Sequence, residues 1–437
     1  MLAAPLGGGG DINLSPTDGA RASFIRRSAC GASVNRDPSP VRAEILRDIS
    51  REEVTRLTSE LVKIPTVNPP GEERRICEFI ASWLEKRGVA AELLEEVEGR
   101  TNVQAVVQGE LPGGRTLVLN GHTDVVPVGN GWTKDPFGGR VEKGRVYGRG
   151  AADMKGGVAS TMVAAAALHR HRKSLRGRLV LQAVADEEVG GQIGTGYLVR
   201  RGLRGDLAIV AEPTGLEVCV SHKGVVRFEV TTLGKSAHSS VPWEGRSAVL
   251  DMNVIVDALR AYGERLAKGR KHPLLGAPTV NVGVIQGGVA VNFVPDKCRI
   301  VAERRVVPPE TVEEASRQVQ KVVEDAAKKA GARYEMRFNS RSKTSDAGGE
   351  KAKVGVVLKA ASEVIGRPAK AKGFLATCDA RFLSNDAKIP SLVFGPGSLP
   401  KVHAPDEYVE TKELEQAARV FALSFMYLQR VRPENEI

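Results

Sequence analysis

His122 and Asp124 stand two apart where the apolar run Leu117-Val118-Leu119-Asn120-Gly121 ends. On extended backbone that spacing puts both side chains on one face. A carboxylate so placed can hold the second nitrogen of a metal-binding imidazole and raise its basicity. Three acidic clusters follow. Asp153 lies in Gly148-Arg149-Gly150-Ala151-Ala152-Asp153-Met154-Lys155-Gly156-Gly157, ahead of an Ala-rich helix. Asp186-Glu187-Glu188 closes the run 179–185, and Glu212 closes 207–210. Three carboxylates in a row repel one another unless a cation neutralises them. Neighbouring strand residues face opposite ways, so Glu187 and Glu188 take different roles. Taken singly, each cluster has a plainer reading: a loop His beside a loop Asp, or an acidic helix N-cap. Gathered at the ends of strands in one sheet, they point to a hard-cation site and a metal-dependent hydrolase. No phosphate loop competes, because neither GxxxxGK[ST] nor GxGxxG occurs.

The elements that must position these residues follow from periodicity. Residues 43–63 carry apolar side chains at helical spacing, the Asn68-Pro69-Pro70-Gly71 turn breaks the chain, and a second helix uses Ile76, Phe79, Ile80, Trp83 and Leu84. Short apolar runs at 103–107, 116–119, 179–184 and 207–210 read as buried strands, with a helix over 157–171. Strands alternating with helices predict an α/β layered domain with a mostly parallel sheet. After Pro213 the pattern becomes strand 225–231, helix 246–268, strands 279–285 and 299–306, helix 309–330 and strand 333–338. That βαββαβ order is the ferredoxin-like split βαβ arrangement. It predicts an inserted α+β domain over 216–335, with the first domain, 41–215, resuming at 336–437.

Composition sets the outer limits. A 42% hydrophobic and 26% charged chain is an ordinary globular one, and no apolar run approaches the ~20 residues of a membrane span. The net charge of +11 comes from interspersed signs, and aromatics are only 5%, so a nucleic-acid role has no support. Five cysteines without a CxxC read as buried thiols in a reducing compartment, hence a cytoplasmic protein. Residues 1–40, with their Gly7–Gly10 run, lack the apolar segment of a signal peptide and read as a disordered extension. His169, His171, His222 and His272 read as surface or turn residues, and Lys155 as either site-lining or solvated.

The ordered landmarks Gly-His122-Thr-Asp124-Val-Val-Pro, Ala-Ala-Asp153-Met-Lys-Gly-Gly, Asp-Glu187-Glu188-Val-Gly-Gly, Ala-Glu212-Pro-Thr, Ser-Ala-His238-Ser-Ser, Asn292-Phe-Val-Pro, Thr-Cys-Asp379-Ala-Arg381 and Val-His403-Ala-Pro-Asp-Glu407 span most of the chain. With them the chain resembles the dinuclear zinc hydrolases that include acetylornithine deacetylase, succinyl-diaminopimelate desuccinylase, aminoacylase and glutamate-releasing carboxypeptidases. The resemblance covers about residues 43–430. It implies two divalent ions, zinc or cobalt: one on His122 and Glu212, one on Glu188 and His403, with Asp153 bridging them through a cis peptide to Met154. It implies Asp124 orienting His122, Glu187 as general base and His238 at the oxyanion, of its own site or of the partner subunit's. Asn292, Arg305, Arg381 and the Gly395 loop would grip a substrate carboxylate. Three carboxylates and a bridging hydroxide would offset the four positive charges, with both imidazoles neutral. Glu303 departs from the family's Asp two residues before Arg305, which weakens that assignment. The implied activity is hydrolysis of an N-acyl amino acid by a homodimer. A zinc carboxypeptidase or dipeptidase acting on short peptides, and a non-catalytic binding relative, are the alternatives.

Overall fold

The computed structural model describes residues 39–431. The expected extension over 1–40 lies almost wholly outside them, as does Cys30. Most of the described chain surrounds a nine-stranded mixed sheet. Its centre is parallel: the strand Arg176–Val184 pairs with Leu111–His122, which pairs with Leu207–Val210, which pairs with Ser391–Val393. Antiparallel strands extend it on both sides: Thr101–Gln108 and Ala91–Glu95 on one, Val218–His222 and Ser345–Asp346 on the other. The short strand Ala371–Phe374 lies parallel to Val218–His222.

Both faces of the sheet are covered, so its central strands carry runs such as Leu117-Val118-Leu119 with apolar side chains on both faces rather than on one. Leu117 and Leu119 face the helices Arg51–Val62, Gly156–Arg170, Lys351–Ile365 and Thr411–Leu428. Val118 faces the layer that contains Ala380–Asn385. The helix Gly156–Arg170 is buried over its first thirteen residues, which is why it is built of Gly, Ala, Ser, Val and Met. A Cβ on Gly157 would sit 2.1 Å from the Ala211 carbonyl oxygen, so only glycine lets the helix start press on the Glu212 strand end.

The four-stranded antiparallel sheet of the insert has the order Thr279–Gly287, Lys297–Val306, Gly224–Leu233, Arg333–Ser342. The helices Ala248–Lys268 and Val312–Ala330 cover one face, around Phe228, Val230, Met252, Ile255, Ile300 and Val319. Its strands run from 224 to 342. The expected limit of 216 therefore takes in Val218–His222, which pairs in the large sheet, and the limit of 335 cuts the last insert strand. For the same reason His222 is not a turn residue: it is fully buried, and burial pushes its imidazole down to about 4.

Other local readings change too. The periodic run over 43–63 is two helices, Ser39–Asp48 and Arg51–Val62, because the Ser50 hydroxyl accepts from the Glu53 amide and starts the second. His169 and His171 are half-buried, not exposed, and His171 Nε2 lies 3.0 Å from Asp48. Lys155 is fully buried, donating to the Ile64 carbonyl at 2.7 Å. Among the described residues no helix is long and apolar enough to cross a membrane.

Candidate metal centre

Three neighbouring parallel strands end together. His122 terminates Leu111–His122, Glu187 and Glu188 follow Arg176–Val184, and Glu212 follows Leu207–Val210. This is the carboxyl edge of the sheet, where α/β folds place their sites. Asp153 reaches the edge from a non-helical turn, φ −121° and ψ 95°, joined to Met154 by a cis peptide bond. His403 arrives from the far end of the chain on a left-handed residue, φ 59°.

Asp153 lies between the two imidazoles. Its Oδ1 is 3.1 Å from His122 Nε2, and its Oδ2 is 3.3 Å from His403 Nε2. Glu212 Oε1 lies 3.9 Å from His122 Nε2, and Glu188 Oε1 lies 3.4 Å from His403 Nε2. One donor atom each from His122, Asp153 and Glu188 falls within 4.8 Å of the others. All five expected ligands are therefore brought together.

The electrostatics call for a cation. Burial, then the Asp153 charge, push the Glu212 carboxyl well above its ordinary range. Burial pushes Glu188 up to about 7, against the His403 hydrogen bond that lowers it. Burial would raise Asp153 too, but hydrogen bonds from His122 and then His403 hold it down. Carboxylates this crowded, with imidazole nitrogens turned toward them, are the donor chemistry a divalent ion takes.

Asp124 does more than face His122. The His122 Nδ1–H donates to the Asp124 backbone carbonyl at 3.0 Å, with the carboxylate 3.5 Å away. The Asp124 carboxylate accepts the Glu187 amide on Oδ1 and the Glu188 amide on Oδ2, each at 3.2 Å. The Asn68 side-chain amide adds a third bond at 2.8 Å. One buried acid thus ties the His122 strand to the turn carrying Glu187 and Glu188. Asn68, read from sequence only as part of a chain-breaking turn, belongs to that support. So does the pair Arg149–Glu407, described below.

The expected substrate-side residues are placed differently. Arg381 is expected at a substrate carboxylate, but its contacts are internal. Its Nη1 lies 3.3 Å from Glu187 Oε1, and its Nη2 meets the Gly190 carbonyl at 2.9 Å and Asp379 at 3.3 Å. A guanidinium this buried needs those counter-charges. Arg305 is held by Glu303 at 2.6 Å and touches Thr377. Gly395 packs on the Glu212 segment, where a Cβ would meet the Ala211 carbonyl oxygen at 2.4 Å. His238 and Asn292 sit exposed on the insert. His238 bonds Ser240, and Asn292 lends its backbone carbonyl to Ser239. Neither contacts the metal-ligand cluster.

Known proteins fit this geometry. The family described as Peptidase family M20/M25/M40 matches residues 118–426. N-formyl-4-amino-5-aminomethyl-2-methylpyrimidine deformylase of Halalkalibacterium halodurans is 30% identical over 408 residues, covering 87% of this chain and 95% of that protein. Acetylornithine deacetylase of Proteus mirabilis is 31% identical over 343 residues, 77% of this chain and 85% of that one. The M20 family metallo-carboxypeptidase Sso-CP2 of Sulfolobus solfataricus shares the fold at TM-score 0.72 and 21% identity, over 86% of this chain and 99% of its own. Strand-end ligands, layered sheet and inserted domain thus converge: the chain belongs to peptidase family M20/M25/M40, whose members are metal-dependent enzymes that hydrolyse C–N bonds.

Proposed function

We propose that this chain hydrolyses the amide bond of an N-acyl amino acid, with two divalent ions, zinc or cobalt, held by His122, Asp153, Glu188, Glu212 and His403. The observation that carries the reading is Asp153 offering one oxygen toward each imidazole, at 3.1 and 3.3 Å. Bound there, the ions would polarise the scissile carbonyl and bring the acidity of a water toward pH ~7. Glu187 is the general base. It lies beside the ligand cluster without sharing its short contacts, raised by burial and restrained by Arg381. It takes the proton from water and passes it to the leaving amine. Asp124 holds both His122 and the Glu187 turn.

His238 supplies the oxyanion donor from the insert, with Asn292, Arg305 and the Gly395 loop on the substrate side. His238 and Asn292 make no contact with the cluster in one chain, which supports a homodimer in which the insert serves the partner's site. Exposed apolar side chains beside them, Trp243 at 74%, Val291 at 98% and Phe293 at 51%, suit such an interface. Cys77, Cys219, Cys298 and Cys378 are free and buried, as in a cytoplasmic protein.

The acetylornithine deacetylase and the pyrimidine deformylase both remove acyl groups from nitrogen by name, and both span most of this chain. This favours a deacylase over a carboxypeptidase or dipeptidase. Metal content after dialysis, paired with turnover of N-formyl, N-acetyl and N-succinyl amines and dipeptides, tests the reading. About two ions per chain and one preferred acyl substrate are expected. No bound metal and no turnover after zinc or cobalt is supplied would overturn it; preference for dipeptides would make the chain a peptidase.

A further inference from the structure

Glu407 stands four residues after His403 and is 1% exposed. Its Oε2 accepts from Arg149 Nη1 at 2.6 Å. Its Oε1 accepts two backbone amides, Ala152 at 3.0 Å and Asp153 at 3.2 Å. Its own carbonyl accepts the Gly148 amide at 2.8 Å. Arg149 is 2% exposed, its backbone amide donates to the Pro136 carbonyl at 2.7 Å, and its guanidinium lies 5.2 Å from the centre of the Trp132 ring. The neighbouring Asp406 accepts the Thr133 and Lys134 amides at 2.9 and 3.1 Å. The segment 403–407 is therefore fastened at two successive residues, to the 133–134 loop and to the turn 148–153 that carries Asp153.

These contacts join groups that are far apart in the chain yet meet at one carboxylate. His403 reaches the site on a strained left-handed residue, and Asp153 on a non-helical turn. Neither conformation is enforced by a helix or a strand ladder. Two amides pointing the same way at consecutive residues need a single acceptor, and a buried carboxylate needs a fixed cation. Glu407 and Arg149 meet both needs at once.

We propose that Glu407, locked by Arg149, is a positioning residue that sets the spacing between Asp153 and His403 and so determines how tightly the centre takes its ions. This rests on the metal reading above. A merely structural brace would lower the stability of the whole fold and leave the ion affinity of the folded protein alone. A positioning residue lowers the ion affinity of the folded protein, whatever its loss does to stability. Supports of this kind, when removed, typically weaken metal binding about 10–100-fold.

The test titrates cobalt into the full-length, metal-depleted protein and follows the visible cobalt absorption, with thermal unfolding of the metal-depleted protein alongside. Glu407→Gln keeps the shape and an acceptor oxygen but removes the charge that holds Arg149. The expected result is cobalt affinity of the folded variant reduced about tenfold or more and an altered absorption band, alongside a lower unfolding midpoint of the metal-free protein, because Arg149 is left buried without its counter-charge. Wild-type affinity and spectrum in the folded variant would overturn the proposal. So would a loss confined to the metal-free unfolding midpoint, which would make Glu407 a brace. Should Glu407→Gln not fold, Arg149→Lys decides on the same readouts: weaker cobalt binding supports the clamp, and unchanged binding overturns it. If the wild-type protein itself takes up no cobalt, the metal reading falls and takes the clamp with it. That outcome is distinct from a variant that binds as well as wild type.

Discussion

The edge of the large sheet and the exposed loops of the insert contribute to the site in opposite ways. At the sheet edge the acids that hold the ligand-bearing turns are already bonded within the chain. Asp124 accepts from Asn68, Glu187 and Glu188, and Glu407 accepts from Arg149, Ala152 and Asp153. On the insert, the His238 ring meets its near neighbour Ser240, and the apolar side chains around it face outward. The first region is preorganised by its own chain, as buried catalytic electrostatics require. The second is presented rather than packed. On the function proposed above, one half of the site is complete on folding, and the other waits for a partner subunit.

The sharpest way to break this contrast is Glu187→Gln. If the sheet edge holds the whole chemical apparatus, turnover falls by about 10²–10⁴-fold while bound metal stays at the wild-type amount. Metal analysis and steady-state rates on one preparation check this. Near wild-type turnover would remove Glu187 from the chemistry and make the preorganised half a binding scaffold.

His238→Ala probes the other half. Loss of an oxyanion donor costs about 10²–10³-fold in kcat, with metal content unaffected. Mixing His238→Ala with Glu187→Gln sharpens the comparison. Random reassortment of a homodimer makes half the dimers mixed, each with one complete site, so about a quarter of wild-type activity returns if His238 acts across the interface. No recovery from subunits shown by light scattering to exchange would place His238 in its own chain's site. A monomer in light scattering would do the same.

The two regions also differ in how far the sequence alone reveals them. His122, Glu188 and Glu212 are legible because each closes an apolar run, and parallel strands put their carboxyl ends at one edge. Asp153 is in view beside its glycine-rich turn but reads equally as an acidic N-cap, and His403 stands on a turn with no period, so the ordered family landmarks are needed to single them out. Glu407 was in view four residues after His403, but nothing local separates a buried acid from a surface one. Its meaning lies in Arg149 and two amides about 250 positions away. The insert's βαββαβ order was legible from alternating patterns, whereas its lower limit was not. Val218–His222 is a buried strand by composition, and only hydrogen bonding shows which sheet it joins. Arg381 illustrates a different gap: residue type suggests a carboxylate partner, and folding supplies two from within the chain.

The smallest expected effect concerns the insert's open sheet face, opposite its helices. Glu229 there accepts from Arg299 at 2.5 Å and Arg337 at 3.0 Å. The Arg299 hydrogen bond, then that of Arg337, hold its carboxyl down to about 2. An unfolded Glu titrates near ~4.3, so the folded form binds its proton less readily. The stabilisation is therefore present above about pH 4.3 and is lost as pH falls toward 2. Glu229→Gln should unfold slightly more easily than wild type at pH 6, and the gap should close between about pH 4.3 and pH 2.5. Denaturant midpoints of the metal-free protein across that range measure it. The effect is small because these side chains are partly solvated and water screens the pair. A gap that stays constant with pH would assign the loss to packing rather than charge. A closing gap would show that this face is held by its own charges, which narrows the unsatisfied part of the insert to the loops that carry His238, Trp243 and Asn292.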